Sequence, residues 1–105
     1  MTTNSNQELK SFLAGYFHED WELDASEPDE VIVQFLSGGP DSNDIYHIVA
    51  QIRQYLVSAG DDVAIEQDLL REFGCYYLPS SDGQSARDWL QHVVGKLEYR
   101  QGGLA

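Results

Sequence analysis

His18-Glu19-Asp20-Trp21 sets four chemically capable side chains in a row. A histidine beside two carboxylates invites a metal or an acid–base reading. The spacing argues against both, because adjacent residues on a helix point about 100° apart and do not converge as ligands do. The other potential ligands, His47, His92 and Cys75, are scattered singly along the chain. A histidine where a helical pattern stops is more often a hydrogen-bonded terminal residue, which also suits the helix dipole. Cys75 sits in the apolar run Phe73-Gly74-Cys75-Tyr76-Tyr77 without basic neighbours to activate it. A small core residue is therefore expected there rather than a nucleophile. Gly38-Gly39 and Gly102-Gly103 lack the lysine and the following helix of a phosphate-binding loop. No catalytic, metal or cofactor site is expected.

The acids carry more information than the nucleophiles. The net charge is −12, from 18 acidic and 6 basic residues, which works against direct binding to nucleic acid or anionic lipid. Residues 11–52 contain no Lys or Arg but nine acids, so this span carries −9 of the total. Seven of those acids fall within Glu19–Glu30. Glu27, Asp29 and Glu30 are accounted for by a helix N-terminus, where negative charge is favoured. Asp20 could cap or pair locally, while Glu19, Glu22 and Asp24 have no evident structural task. A solvated face and a face that attracts a basic partner both fit them. An exposed Tyr or Trp beside the acids would decide for binding.

The elements that must position these groups are predicted from periodicity. Leu9, Phe12, Leu13, Tyr16 and Phe17 share one face of a helix over Gln7–Phe17, wide and aromatic enough to be a core element. A loop, His18–Ala25, follows. Ser26-Glu27-Pro28-Asp29 resembles a capping box with an early proline. It introduces Val31–Leu36, a run that could be strand or helix; the cap before it and Gly38-Gly39 after it favour a short helix. A third helix, from Asp44 to Ser58, carries Ile45, Ile48, Val49, Ile52, Tyr55 and Leu56 on its core stripe, with Gly60 expected as a left-handed cap. Asp61-Asp62 opens a fourth, with Ile65, Leu69, Leu70 and Phe73 inward and Gly74 at its end. After a loop over Cys75–Gln84, Ser85-Ala86-Arg87-Asp88 starts a fifth, with Trp89, Leu90, Val93, Val94 and Leu97 inward. Gly95 lies inside that last helix. Residues 1–6 and Gln101–Ala105 are expected to fray.

These elements predict an all-α fold, a small single-domain bundle of about five helices spanning residues 1–105. A chain of this length buries roughly two-thirds of its unfolded surface, so it needs no metal or disulfide. A lone cysteine makes no internal disulfide, Met1–Gln7 is short, polar and uncharged, and no apolar run spans a membrane. A cytoplasmic monomer or weak oligomer is expected.

Two stretches, Phe12–Leu23 (FLAGYFHEDWEL) and Phe73–Val93 (FGCYYLPSSDGQSARDWLQHV), resemble the immunity proteins of bacterial contact-dependent growth inhibition systems. The likeness is carried by Tyr16, Phe17, His18, Asp20 and Trp21, and by Gly74-Cys75 followed by Ser85-Ala86-Arg87 and Trp89-Leu90. In that family acidic residues commonly follow the cysteine, whereas Tyr76 and Leu78 occupy the loop here, which implies a different toxin partner. The resemblance implies a small, non-enzymatic cytoplasmic protein that neutralises the toxic C-terminal domain of a large surface-displayed effector. Such toxin domains are often nucleases with basic clefts, which an acidic inhibitor can occupy. On this reading Glu19, Glu22 and Asp24 contact the toxin, with Trp21 or a neighbouring tyrosine as apolar anchor. Neither nucleic acid nor membrane is a partner.

Two other functions compete. An acidic DNA mimic or regulatory protein would need carboxylates along an extended face, at about one charge per 1.7 Å of duplex axis; acids clustered in one loop fit that poorly. A small enzyme using His18 and nearby carboxylates would need a concave pocket with perturbed titrating groups, which no spacing here suggests.

Overall fold

Apolar residues at helical spacing supply the core, and they assemble from every long element at once. A computed structural model describes residues 7–102. The expected fraying of residues 1–6 and 103–105 lies outside them. The elements are α1 (Gln7–Tyr16), α2 (Trp21–Asp24), α3 (Pro28–Ser37), α4 (Ser42–Ser58), α5 (Asp62–Arg71), a 3-10 turn (Pro79–Asp82) and α6 (Ala86–Gly102). Among the described residues there is no strand, and five of these helices are long enough to form the expected bundle. The Cα radius of gyration is 13.0 Å, the value of a packed domain of about 100 residues.

Helix α6 packs against α3, α4, α5 and the 3-10 turn, while α1 packs against α3 and α4. Ala86, Trp89, Leu90, Val93, Val94 and Leu97 of α6 are all buried, because neighbours lie on several sides of it. The Val31–Leu36 run is helical, as its flanking signals predict. The box before it is displaced by one residue: Glu30 Oε1 accepts from the backbone N–H of Ser26 at 2.8 Å and from its hydroxyl at 3.0 Å. Asp61 caps α5 by accepting from Ala64 N–H at 2.9 Å. Ser85 Oγ caps α6 by accepting from Asp88 N–H at 3.1 Å.

Several expectations need correction. His18–Ala25 is not all loop, since one turn of helix forms at Trp21–Asp24. Leu70 is 40% exposed rather than inward. Of the described elements α5 makes its substantial packing with α6 alone, so a narrow Ile65/Leu69 stripe is enough. Tyr16 and Tyr55 are half-buried and border the core. Phe73 is buried but lies beyond the end of α5. Gly60 is not a left-handed cap: α4 ends at Ala59 in an extended conformation. Helix α6 continues through Gln101 and Gly102, where fraying is expected. Gly74 does adopt positive φ, at 63°, and a Cβ there would meet the Cβ of Ala14 at 3.1 Å.

Candidate functional site

The acidic stretch after α1 and the loop before α6 meet at one end of the bundle, and an aromatic cluster joins them. Phe17 lies 6.0 Å from Trp21, 6.2 Å from Tyr77 and 5.3 Å from Trp89 between ring centroids. Tyr77 closes the cluster, 5.7 Å from Trp21 and 5.1 Å from Trp89. Edge-to-face geometries recur among these pairs (Phe17–Trp89 at 90°, Trp21–Tyr77 at 88°), as ring quadrupoles prefer.

The chain crosses this cluster in tight steps. Phe17 N–H donates to Leu13 O at 2.8 Å, and Trp21 N–H to His18 O at 2.9 Å. His18 Nδ1 accepts from Asp20 N–H at 3.1 Å, so the histidine is a hydrogen-bonded terminal residue as the sequence suggests. The single turn α2 sends Trp21 inward, 7% exposed, and leaves Glu22 and Leu23 outside. Glu19 and Asp20 are exposed as well. The side chain of Asp24 lies outside the described residues. Trp21 is thus packed into the core rather than projecting from the surface. Tyr76 is an exposed aromatic, 49% accessible, whose backbone N–H donates to the carbonyl of Phe17, two residues before Glu19, at 2.7 Å.

Between these segments lies a cleft of about 490 Å³, lined by Trp21, Glu22, Glu27, Asp29, Asp82 and Trp89 among others. Asp29 is paired with α6: its Oδ1 lies 2.8 Å from His92 Nε2, and its Oδ2 3.8 Å from Lys96 Nζ. Asp82 accepts the Tyr77 hydroxyl at 2.8 Å. Burial, and then this hydrogen bond to a carboxylate, push the Tyr77 phenol well above its ordinary pKa. Ser26, through its backbone N–H first and its hydroxyl second, holds the Glu30 carboxyl below the usual range. Of the acids that the sequence singles out, Glu22 lines this cleft, which also draws in Glu27 and Asp82. Glu27 stands at the N-cap of α3, the helix N-terminus to which the sequence assigns it, and its side chain makes no capping hydrogen bond. Asp82 carries no sequence signal beyond a turn-rich loop.

Cys75 is fully buried and its thiol donates to the carbonyl of Tyr77 at 3.5 Å. Burial pushes its pKa up to about 12, the setting of an inert structural thiol. Among the described residues no group of three or more His, Cys, Asp or Glu could hold a metal ion. Among the described residues no helix is long and apolar enough to cross a membrane. The arrangement presents a concave, anionic, aromatic-floored surface suited to binding a cationic group.

The sequence matches the model of a family described as CdiI immunity protein, over residues 5–97. Among solved structures, the fold is similar to a chain from a crystal structure of a CdiA-CT/CdiI complex from Y. kristensenii 33638. The TM-score is 0.79 at 22% identity, with 89% of this chain and 98% of that chain covered. Among curated proteins none matches the chain.

Proposed function

The chain belongs to the CdiI immunity protein family, and from that premise we propose that it binds and neutralises the C-terminal toxin domain of a contact-dependent growth inhibition effector. The protein acts in the cytoplasm by binding, without chemistry of its own. The acidic end of the bundle covers a basic active-site cleft, as in a nuclease, and so keeps substrate out. The observation that carries this reading is the uneven charge: residues 11–52 lack any Lys or Arg and include Glu19, Glu22 and Asp24. These acids flank an aromatic cluster in which the two motif-bearing stretches meet. Opposite charge speeds encounter and excludes wrong partners, and exposed Tyr76 offers the apolar contact that such surfaces use.

Co-expression with the toxin domain of the adjacent effector gene tests the proposal. Cells making both proteins should grow, and a stoichiometric complex should be recovered on gel filtration. Protection should saturate at equimolar protein. Protection at far less than equimolar protein would point to enzymatic detoxification instead, and growth arrest despite full expression would remove the immunity assignment to that toxin.

A further inference from the structure

Helices α4 and α6 pack side by side, and a groove runs along their outer seam. It opens as two clefts, of about 530 and 360 Å³, that share Arg53 and Glu98. The ion pair of these two side chains, Nη2 to Oε2 at 2.7 Å, bridges the seam. Leu56, Val57 and Val94 line the larger cleft, and Val57 is 87% exposed. In a chain of net charge −12, the groove gathers two of the six basic residues, Arg53 and Arg87, against one acid, Glu98.

Along α6 the lining residues have an order. Arg87, Gln91, Gly95 and Glu98 fall at i, i+4, i+8 and i+11. That span is about three turns, so Arg87 and Glu98 share one face and lie about 17 Å apart along the axis. The cation stands at the N-terminal end of the face and the anion at the C-terminal end. Among the described residues the Arg87 guanidinium has no carboxylate partner. Its Nη1 donates to the Leu56 carbonyl at 3.2 Å, which leaves most of its N–H groups for another acceptor. Gly95 lies between the two charges, exposed, and a Cβ there would meet nothing within 4 Å.

We propose that this face pairs with the same face of a second copy of the chain, α6 against α6 across a two-fold axis. In that antiparallel register Arg87 of each copy meets Glu98 of the other, so one contact makes both ion pairs. Gln91 comes opposite Val94 and Gly95, where the missing side chain lets the helices approach closely. Like net charge opposes association, which favours contact where the basic residues gather and the facing charges are opposite. The face is about 17 Å long and two helices wide, roughly 340 Å² a side at about 10 Å per helix. A stable interface takes about 800 Å² per partner, so this dimer is weak, with a dissociation constant on the order of 100 µM. The pairing does not use the acidic cleft. His92 and Lys96, which meet Asp29 there, each follow a seam residue by one position and so point about 100° away.

Sedimentation equilibrium of the full chain between about 10 µM and about 1 mM tests the pairing. The weight-average mass should rise from that of the 11.8 kDa monomer toward twice that value. Arg87→Glu alone and Glu98→Arg alone should each stay monomeric, because like charges then face each other at both ends. Mixed together, the two variants should form a heterodimer, since every facing pair is then opposite. Gly95→Arg, at an open position, should block association while the protein still unfolds cooperatively on heating. Wild-type protein that is monomeric at about 1 mM overturns the proposal, and if Gly95→Arg then weakens a toxin complex, the groove is a toxin contact instead. Single variants that dimerise like wild type also overturn it. So does a mixture that stays monomeric while both variants unfold cooperatively.

Discussion

The backbone N–H of Tyr76 donates to the carbonyl of Phe17 at 2.7 Å, and this bond ties the loop before α6 to the end of α1. Phe17 is the first residue past α1 and its carbonyl has no partner within that helix. Tyr76 satisfies it, as the end of a buried helix requires. Tyr76 stays exposed, and its neighbour Tyr77 turns inward onto Phe17, Trp21 and Trp89.

The aromatic cluster should therefore behave as structural support for the surface above it. Phe17→Ala should cost about 3–5 kcal/mol, the range for a large buried aromatic. Leu23→Ala, at a side chain 82% exposed, should stay within about 0.5 kcal/mol. Urea denaturation of both variants measures the contrast. Equal losses would mean that α2 is turned the other way.

Cys75 should be silent to thiol reagents in the folded protein. Its thiol is buried and pushed up to about 12, so a disulfide reagent near neutral pH should react only at the rate of unfolding. The fold holds a proton that an unfolded cysteine releases near about pH 8.5. Stability from this group is thus complete below that pH and is lost as pH rises toward about 12. Cys75→Ala should flatten part of the alkaline decline in denaturation midpoint. Labelling of native protein as fast as a free thiol would contradict this burial.

At the acid end the sign reverses. Ser26 holds the Glu30 carboxyl below its usual range, so the stabilisation exists above an unfolded pKa of about 4.3 and is lost as pH falls through the folded value. Glu30→Gln should be the less stable protein near neutrality, and its gap from wild type should close on acidification. A gap of constant size between about pH 6 and pH 3 would show that the Ser26–Glu30 contact does not depend on charge.

Local signals made the bundle legible and left the cleft obscure. Ile45, Ile48, Val49, Ile52 and Leu56 read as one stripe and are buried as one, because a helical period is visible within a few turns. Val31–Leu36 had no decisive period, yet Pro28 before it and Gly38-Gly39 after it marked a helix. The single turn at Trp21–Asp24 is too short to show a period at all. Leu70 was misplaced because apolarity does not say how many neighbours α5 has. The cleft draws Glu22 and Glu27, Asp82 and Trp89 from separate stretches, and no spacing in the chain announces that meeting. The value of α6 as the hub was hidden for a related reason: a helix packed on several sides has a weak amphipathic pattern.

Gly95 interrupts that hub without a packing reason. It is exposed, within α6, and a Cβ added there would meet nothing within 4 Å. Gly95→Ala should raise stability by up to about 1 kcal/mol, through helix propensity and a less flexible unfolded chain. Thermal unfolding checks this. A loss of stability would mean that α6 bends at this position in a way alanine resists.

The acidic surface makes the most demanding prediction, because it concerns rate rather than folding. Glu19 and Glu22 are exposed and stand clear of the buried core, so reversing both to lysine should leave the thermal unfolding of the protein nearly unchanged. If these positions steer a basic toxin domain, the same reversal should chiefly slow association. The penalty should be large at low ionic strength and should shrink as salt rises, since exposed charges are screened over about 8–10 Å under physiological conditions. Association rates with the purified toxin domain at two salt concentrations separate steering from contact. An affinity loss that comes from faster dissociation and persists in high salt would place these side chains in close pairs with the toxin. An on-rate unchanged at low salt would remove these positions from the interface and shift the search to Asp41 and Asp44, which are also exposed within the Lys/Arg-free span. Asp61 and Asp62 would be weaker substitutes, because Asp61 caps α5 at Ala64 N–H (2.9 Å) and Asp62 accepts from Arg87 N–H at 3.2 Å.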